Sequence, residues 1–105
     1  MTLHNTEPTR DAVIYIAGDY DRAREICKIF CRKGACVSIQ KIDYIYTGGE
    51  ESGVSVRFIN YPRFPTSELD LMQNAKELAL QLIDGLHQQS ASIVGPTETV
   101  WISNR

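Results

Sequence analysis

The chain has 105 residues, of which 43% are hydrophobic and 23% charged, and its net charge is −2. One core fits that length, and the balance of apolar and charged residues excludes collagen, a coiled coil and a disordered tail. No apolar run approaches the roughly 20 residues of a membrane helix, so no membrane contact is expected and the cytoplasm is the expected compartment.

An acidic pI of about 5.6 argues against a protein built to grip phosphate backbones. The three cysteines are Cys27, Cys31 and Cys36. An odd number excludes a complete internal disulfide framework, and free thiols fit a reducing compartment.

Residues 1–11 are polar and aperiodic and read as a flexible leader, with 12–105 as a single α+β domain. Residues 12–17 (AVIYIA) are apolar on both parities, as in a central strand covered on both faces. Gly18 and Asp19 break the run. Residues 20–33 predict a helix, because Ala23, Ile26, Cys27, Phe30 and Cys31 fall on one stripe. Asp19 is its N-cap and Gly34 its left-handed terminator. Residues 35–46 predict a strand whose apolar parity changes between Val37 and Ile39 and the later Ile42, Tyr44 and Tyr46, which calls for a bulge near Gln40 and Lys41. Residues 47–52 (TGGEES) read as a turn, and 53–61 as the antiparallel partner strand. Pro62 and Pro65 stiffen a connector. A second amphipathic helix is predicted over 68–87, capped by Thr66 or Ser67. Short strands follow at 91–94 and 99–102.

The order β-α-β-β-α-β is that of a ferredoxin-like two-layer sandwich: an antiparallel sheet, two helices on one face, and an additional C-terminal strand. Such a sandwich leaves one sheet face bare. Roughly symmetric hairpin pairing puts Ile42, Tyr44, Tyr46, Val54, Val56 and Phe58 under the helices. It puts Asp43, Ile45, Ser55, Arg57, Ile59 and Tyr61 on the open face. An apolar open face marks a contact surface, unless the leader or residues 99–105 fold over it.

Candidate chemistry is sparse. Cys27, Cys31 and Cys36 lack zinc-ligand spacing, and Cys27 and Cys31 lie in the helix stripe as small hydrophobes, so no metal or other cofactor is expected. His4 and His87 have no placed orienting acid, and no catalytic residue is assigned. Residues 15–18 (YIAG) are similar to the opening of nucleoside deoxyribosyltransferases. Asp19 and Asp21 put two carboxylates where a phosphate would lie, and the rest of such an enzyme is missing, so helix capping is the reading carried forward. Arg24, Lys28 and Arg32 form a ridge at i, i+4 and are candidate anion or partner contacts. RNA-recognition motifs share the element order, but the third strand lacks their stacking aromatics, which makes nucleic acid an unfavoured partner.

The residues expected to carry interaction are Tyr15, Ile45, Arg57, Ile59, Tyr61, Arg63, Phe64 and Trp101. Tyrosine, phenylalanine, tryptophan and arginine among them suit interface anchoring. The expected function is a small non-enzymatic interaction or regulatory module, pairing with a second copy or another protein. The alternatives are a small-ligand sensor or minor enzyme with a pocket near Asp19, Arg57 and Tyr61, and a nucleic-acid-binding accessory protein.

Overall fold

A computed structural model describes residues 2–4, 6, 9–59 and 67–104. The chain is a small α+β protein with a five-stranded antiparallel sheet and two helices. The elements are β1 (Asp11–Ala17), α1 (Tyr20–Phe30), a short 3-10 turn (Cys31–Lys33), β2 (Val37–Tyr46), β3 (Gly49–Ile59), α2 (Glu68–Gly85), β4 (Ser90–Val94) and β5 (Thr99–Ser103). The strand order is β2-β3-β1-β4-β5.

Both helices begin on side-chain caps. The Asp19 carboxylate accepts from the Arg22 amide at 2.9 Å, and the Ser67 hydroxyl from the Asp70 amide at 3.1 Å. The stripe predicted for the first helix is present, but its last turn tightens to 3-10 geometry before Gly34, at φ 112°, reverses the chain. Helix α2 ends at Gly85, and His87 takes the left-handed conformation at φ 56°.

The helices pack on one sheet face, α1 over β2 and β3 and α2 over β1 and β4. Beneath them Ala12, Ile14, Ile16, Val54, Val56, Phe58, Ala91 and Ile93 meet Ala23, Cys27, Phe30, Leu78, Leu82 and Ile83 in one core. Phe30 and Phe58 cross edge to face at 6.1 Å between ring centroids. Among the described residues, no helix is long and apolar enough to cross a membrane.

The hairpin departs from the expected pairing. Its loop is two residues, Thr47 and Gly48, with Tyr46 paired directly to Gly49 and Gly48 at φ 85°. The 49–52 segment, expected in the turn, is strand. Pairing then runs from Tyr46↔Gly49 to Val37↔Phe58 without a bulge. The register differs from the expected one by an odd number of residues, which moves every β2 side chain to the other face. Val37 and Ile39 therefore lie on the helix side with Val56 and Phe58. Ile42, Tyr44 and Tyr46 lie on the open side. Ile45 is corrected in the same way: it shares the helix-side parity, but it stands past the helices and is 80% exposed.

The C-terminal segment does not fold over the open face. Residues Thr99–Ser103 pair with β4 and extend the sheet sideways. Val100 and Ile102 turn toward the core, and Trp101 turns away from it.

Candidate functional site

The open face is organised in rows by strand pairing. Gln40, Ser55, Tyr15, Ser92 and Trp101 stand side by side from β2 to β5. One pair further along the ribbon, Ile42 faces Gly53, and Gly53 faces Ala17. Tyr44 follows, opposite Glu51.

Gly53 shapes this surface by what it lacks. A Cβ there would lie 2.6 Å from Cε2 of Tyr44 and 2.8 Å from Cα of Ala17. With hydrogen in its place, the Tyr44 ring folds flat over β3 toward Tyr15. The Tyr44 hydroxyl donates to the Val54 carbonyl at 2.6 Å. The Tyr15 and Tyr44 rings stand edge to face, with centroids 6.5 Å apart and planes at 80°. Burial pushes the Tyr44 phenol up to about 12, with Tyr15 and Glu51 adding to the effect and the Ile16 backbone opposing it. Tyr44 is thus a neutral hydrogen-bond donor over the physiological range and not a base.

Against this aromatic pair lies a cleft of about 250 Å³, lined by Tyr15, Ile16, Ala17, Tyr44, Glu51, Ser90, Ala91 and Ser92. Glu51 also borders a second groove, of about 370 Å³, with Asp43, Glu50 and Ser52. Among the described residues, the lining of both grooves contains carboxylates, hydroxyls and phenols, and no basic side chain. Such a surface favours a cation: the carboxylates supply charge and the ring faces supply a negative quadrupole.

Several expected site residues fall elsewhere. Arg57 lies on the open face, ion-paired to Asp11, one row from Tyr15 and outside the cleft lining. Asp19 caps α1 beyond the opposite end of β1, so Asp19 and Arg57 do not share a pocket. Tyr61, Arg63 and Phe64 lie outside the described residues. Ile59 is 39% exposed beside Asp11. On the α1 ridge, Arg24 and Lys28 both reach Glu25, at 3.6 and 3.7 Å, and the three side chains are more than half exposed. Cys27 is buried, which pushes its thiol up to about 11, with Cys31 adding to the shift. Tyr15 and Trp101 are the two expected residues that border or adjoin the cleft. Tyr44, Glu51, Ser90 and Ser92 were not among the candidates. Their signal was the apolar parity of Ile42, Tyr44 and Tyr46, assigned to the wrong face.

No protein-family model matches this chain, and no curated protein does. Solved structures do. A phage SAM lyase in the apo state superposes with a TM-score of 0.64 at 17% identity, covering 100% of this chain and 98% of that one. A phage SAM lyase in complex with S-methyl-5'-thioadenosine superposes with a TM-score of 0.61 at 15% identity, covering 98% and 95%. At these identities the likeness is one of fold. The proteins that share the fold here are enzymes, and the expectation of a non-enzymatic interaction module is corrected on that finding.

Proposed function

We propose that this chain is an enzyme that cleaves S-adenosylmethionine on the open face of its sheet and releases S-methyl-5'-thioadenosine. The observation that carries the reading is the end-to-end match to SAM lyase structures. The chemistry of the cleft supports it: two tyrosines and a carboxylate, with no cationic side chain among the described lining residues, suit a substrate bearing a sulfonium and an ammonium. We also read β1 to β4 with both helices as a ferredoxin-like core, to which β5 is an addition.

Taking the ligand of the matched complex as the product defines the bond. S-methyl-5'-thioadenosine keeps the methyl and adenosyl groups, so the bond that breaks joins sulfur to the methionine Cγ. Sulfur takes the electron pair and leaves as a neutral thioether, which needs no general acid. Without water, the nucleophile at Cγ is the substrate's own carboxylate oxygen. A five-membered lactone closes as the carbon–sulfur bond opens, and no proton is consumed. Among the described residues lining the cleft there is no cation to pair with that carboxylate, which keeps it nucleophilic. Positive charge disappears from sulfur in the transition state, so a carboxylate held against sulfur would stabilise the ground state more. Glu51 is therefore assigned to the ammonium, whose charge persists through the reaction, and the rings of Tyr15 and Tyr44, which hold a cation more weakly than a carboxylate does and so stabilise the ground state less, to the sulfonium.

Incubation of the purified chain with S-adenosylmethionine should yield S-methyl-5'-thioadenosine and the lactone in equal amounts by chromatography and mass spectrometry. Glu51→Gln should raise KM for S-adenosylmethionine and leave the affinity for S-methyl-5'-thioadenosine, which has no ammonium, unchanged. Absence of the thioether product at any enzyme concentration would rule the activity out.

Self-association is a separate proposal. Ile45 and Tyr46, at the end of the β2–β3 ribbon, are 80% and 54% exposed, and a second copy would cover them. Sedimentation of Ile45→Lys beside the unaltered chain tests it: the variant should be smaller, and equal masses would count against the ribbon as the contact.

A further inference from the structure

We infer that Trp101 is the platform on which the adenine ring of the substrate stacks. The inference rests on the reading above and names a part of the site that the cleft does not contain. A cleft of about 250 Å³ lies below the roughly 300–1,000 Å³ usual for pockets that enclose a small molecule. The aromatic pair and Glu51 occupy its β1–β3 side, where the charged half of the substrate is assigned. The nucleoside half must extend out of the cleft along the sheet.

Strand pairing fixes what it meets. Ser92 lines the cleft and stands between Tyr15 and Trp101 in one row. Directly opposed side chains on neighbouring antiparallel strands have Cβ atoms about 4.5–5.5 Å apart, so the indole is the next side chain beyond the Ser92 hydroxyl. Trp101 is 64% exposed, while Val100 and Ile102 on either side turn toward the core. The largest aromatic ring of the chain is thus held on a strand, beside the cleft, with most of its surface in water. A planar apolar ring in that position matches a purine, whose stacking on an aromatic side chain is sequence-tolerant and needs no base-specific donor. The geometry also gives Ser92 a place between the two halves of the ligand, within reach of ribose hydroxyls.

Trp101 is the single tryptophan of the chain, so its fluorescence reports this position alone. The full-length protein is titrated with S-methyl-5'-thioadenosine, followed in parallel by tryptophan emission and by calorimetry. The expected result is saturable quenching with the calorimetric Kd, shared by adenosine and absent with methionine. Trp101→Ala should weaken S-methyl-5'-thioadenosine binding by about 5- to 140-fold, and Trp101→Phe should restore most of it. The far-ultraviolet circular dichroism, which reports the backbone, should be unchanged in both, since the side chain lies outside the core. Calorimetric binding that leaves the emission untouched, or a Trp101→Ala variant that binds as tightly as the unaltered chain, would overturn the platform while the lyase reading stands. A Trp101→Ala variant that changes only the sedimenting mass would assign the indole to contact between copies instead. Failure to bind S-methyl-5'-thioadenosine, together with failure to produce it, would overturn both.

Discussion

The two faces of the sheet use the same strands for different ends. On the helix side, Ile14, Val54, Val56 and Ile93 have no exposed surface, and each is fixed by the shape of its neighbours. On the other side, the residues between them in sequence are Tyr15, Ser55 and Ser92, half-buried or buried polar groups beside open cleft. Alternation of side chains along a strand lets one backbone carry a packed core and a polar cleft 180° apart. The lesson is that rigidity and chemistry are coupled here through the pleat. Tyr15 is held in place because Ile14 and Ile16 are.

The contrast predicts large losses of stability on one side and losses of function on the other. Ile14→Ala leaves a cavity between β1 and the helices and should cost about 2–5 kcal/mol, read by urea denaturation. A cost near zero would mean that the core is not shared in this way. Gly53→Ala sits on the other face. Its methyl collides with the Ile16 carbonyl oxygen on β1 as well as with the Tyr44 ring, and such overpacking costs about 1–3 kcal/mol. It should weaken S-methyl-5'-thioadenosine binding by more than that loss of stability explains, because the ring is displaced from the cleft. Equal binding by the variant would separate Tyr44 from the site.

Tyr44 also gives the open face a signature in alkali. Its folded pKa, about 12, lies above the ordinary value of 10, so the folded chain keeps a proton that the unfolded chain releases. The stabilising effect is complete below pH 10 and is lost as pH rises toward 12. Stability should therefore decline across that window, and Tyr44→Phe should flatten this part of the decline. An unchanged slope in the variant would assign the decline to other groups. The smallest effect is expected far from both faces. Glu25→Gln removes two solvent-exposed pairs on α1 and should change stability by less than about 1 kcal/mol.

Much of the fold was legible in the sequence, because periodicity reports which elements form. The α1 stripe, the Asp19 cap, a cap at Thr66 or Ser67, Gly34 and the succession of elements along the chain all follow from local chemistry. Register was not legible, because it depends on where the turn closes. Six residues with two glycines and two glutamates look like a loop, yet Glu50 and Glu51 pair within the ladder opposite Ile45 and Tyr44. That misplacement hid the site, since the opposition of Tyr44 to Glu51 exists only in the correct register. The parity change at Gln40 and Lys41 is no bulge. It marks the point where cover changes sides: the helices shelter Val37 and Ile39, and beyond them the half-buried groups, Ile42 and Tyr44, are on the open face. Trp101 was legible only as either a late core residue or an exposed anchor, and its neighbour Ser92 was not legible, because pairing of β4 with β5 is set by the turn at Gly95 and Pro96.

The location of the ligand tests these assignments most directly. A crystal structure of the chain grown with S-methyl-5'-thioadenosine should hold the thioether sulfur between Tyr15 and Tyr44, with adenine on Trp101 across Ser92. The nucleoside seated anywhere away from the open sheet face, with Tyr15, Tyr44 and Trp101 untouched, would contradict them.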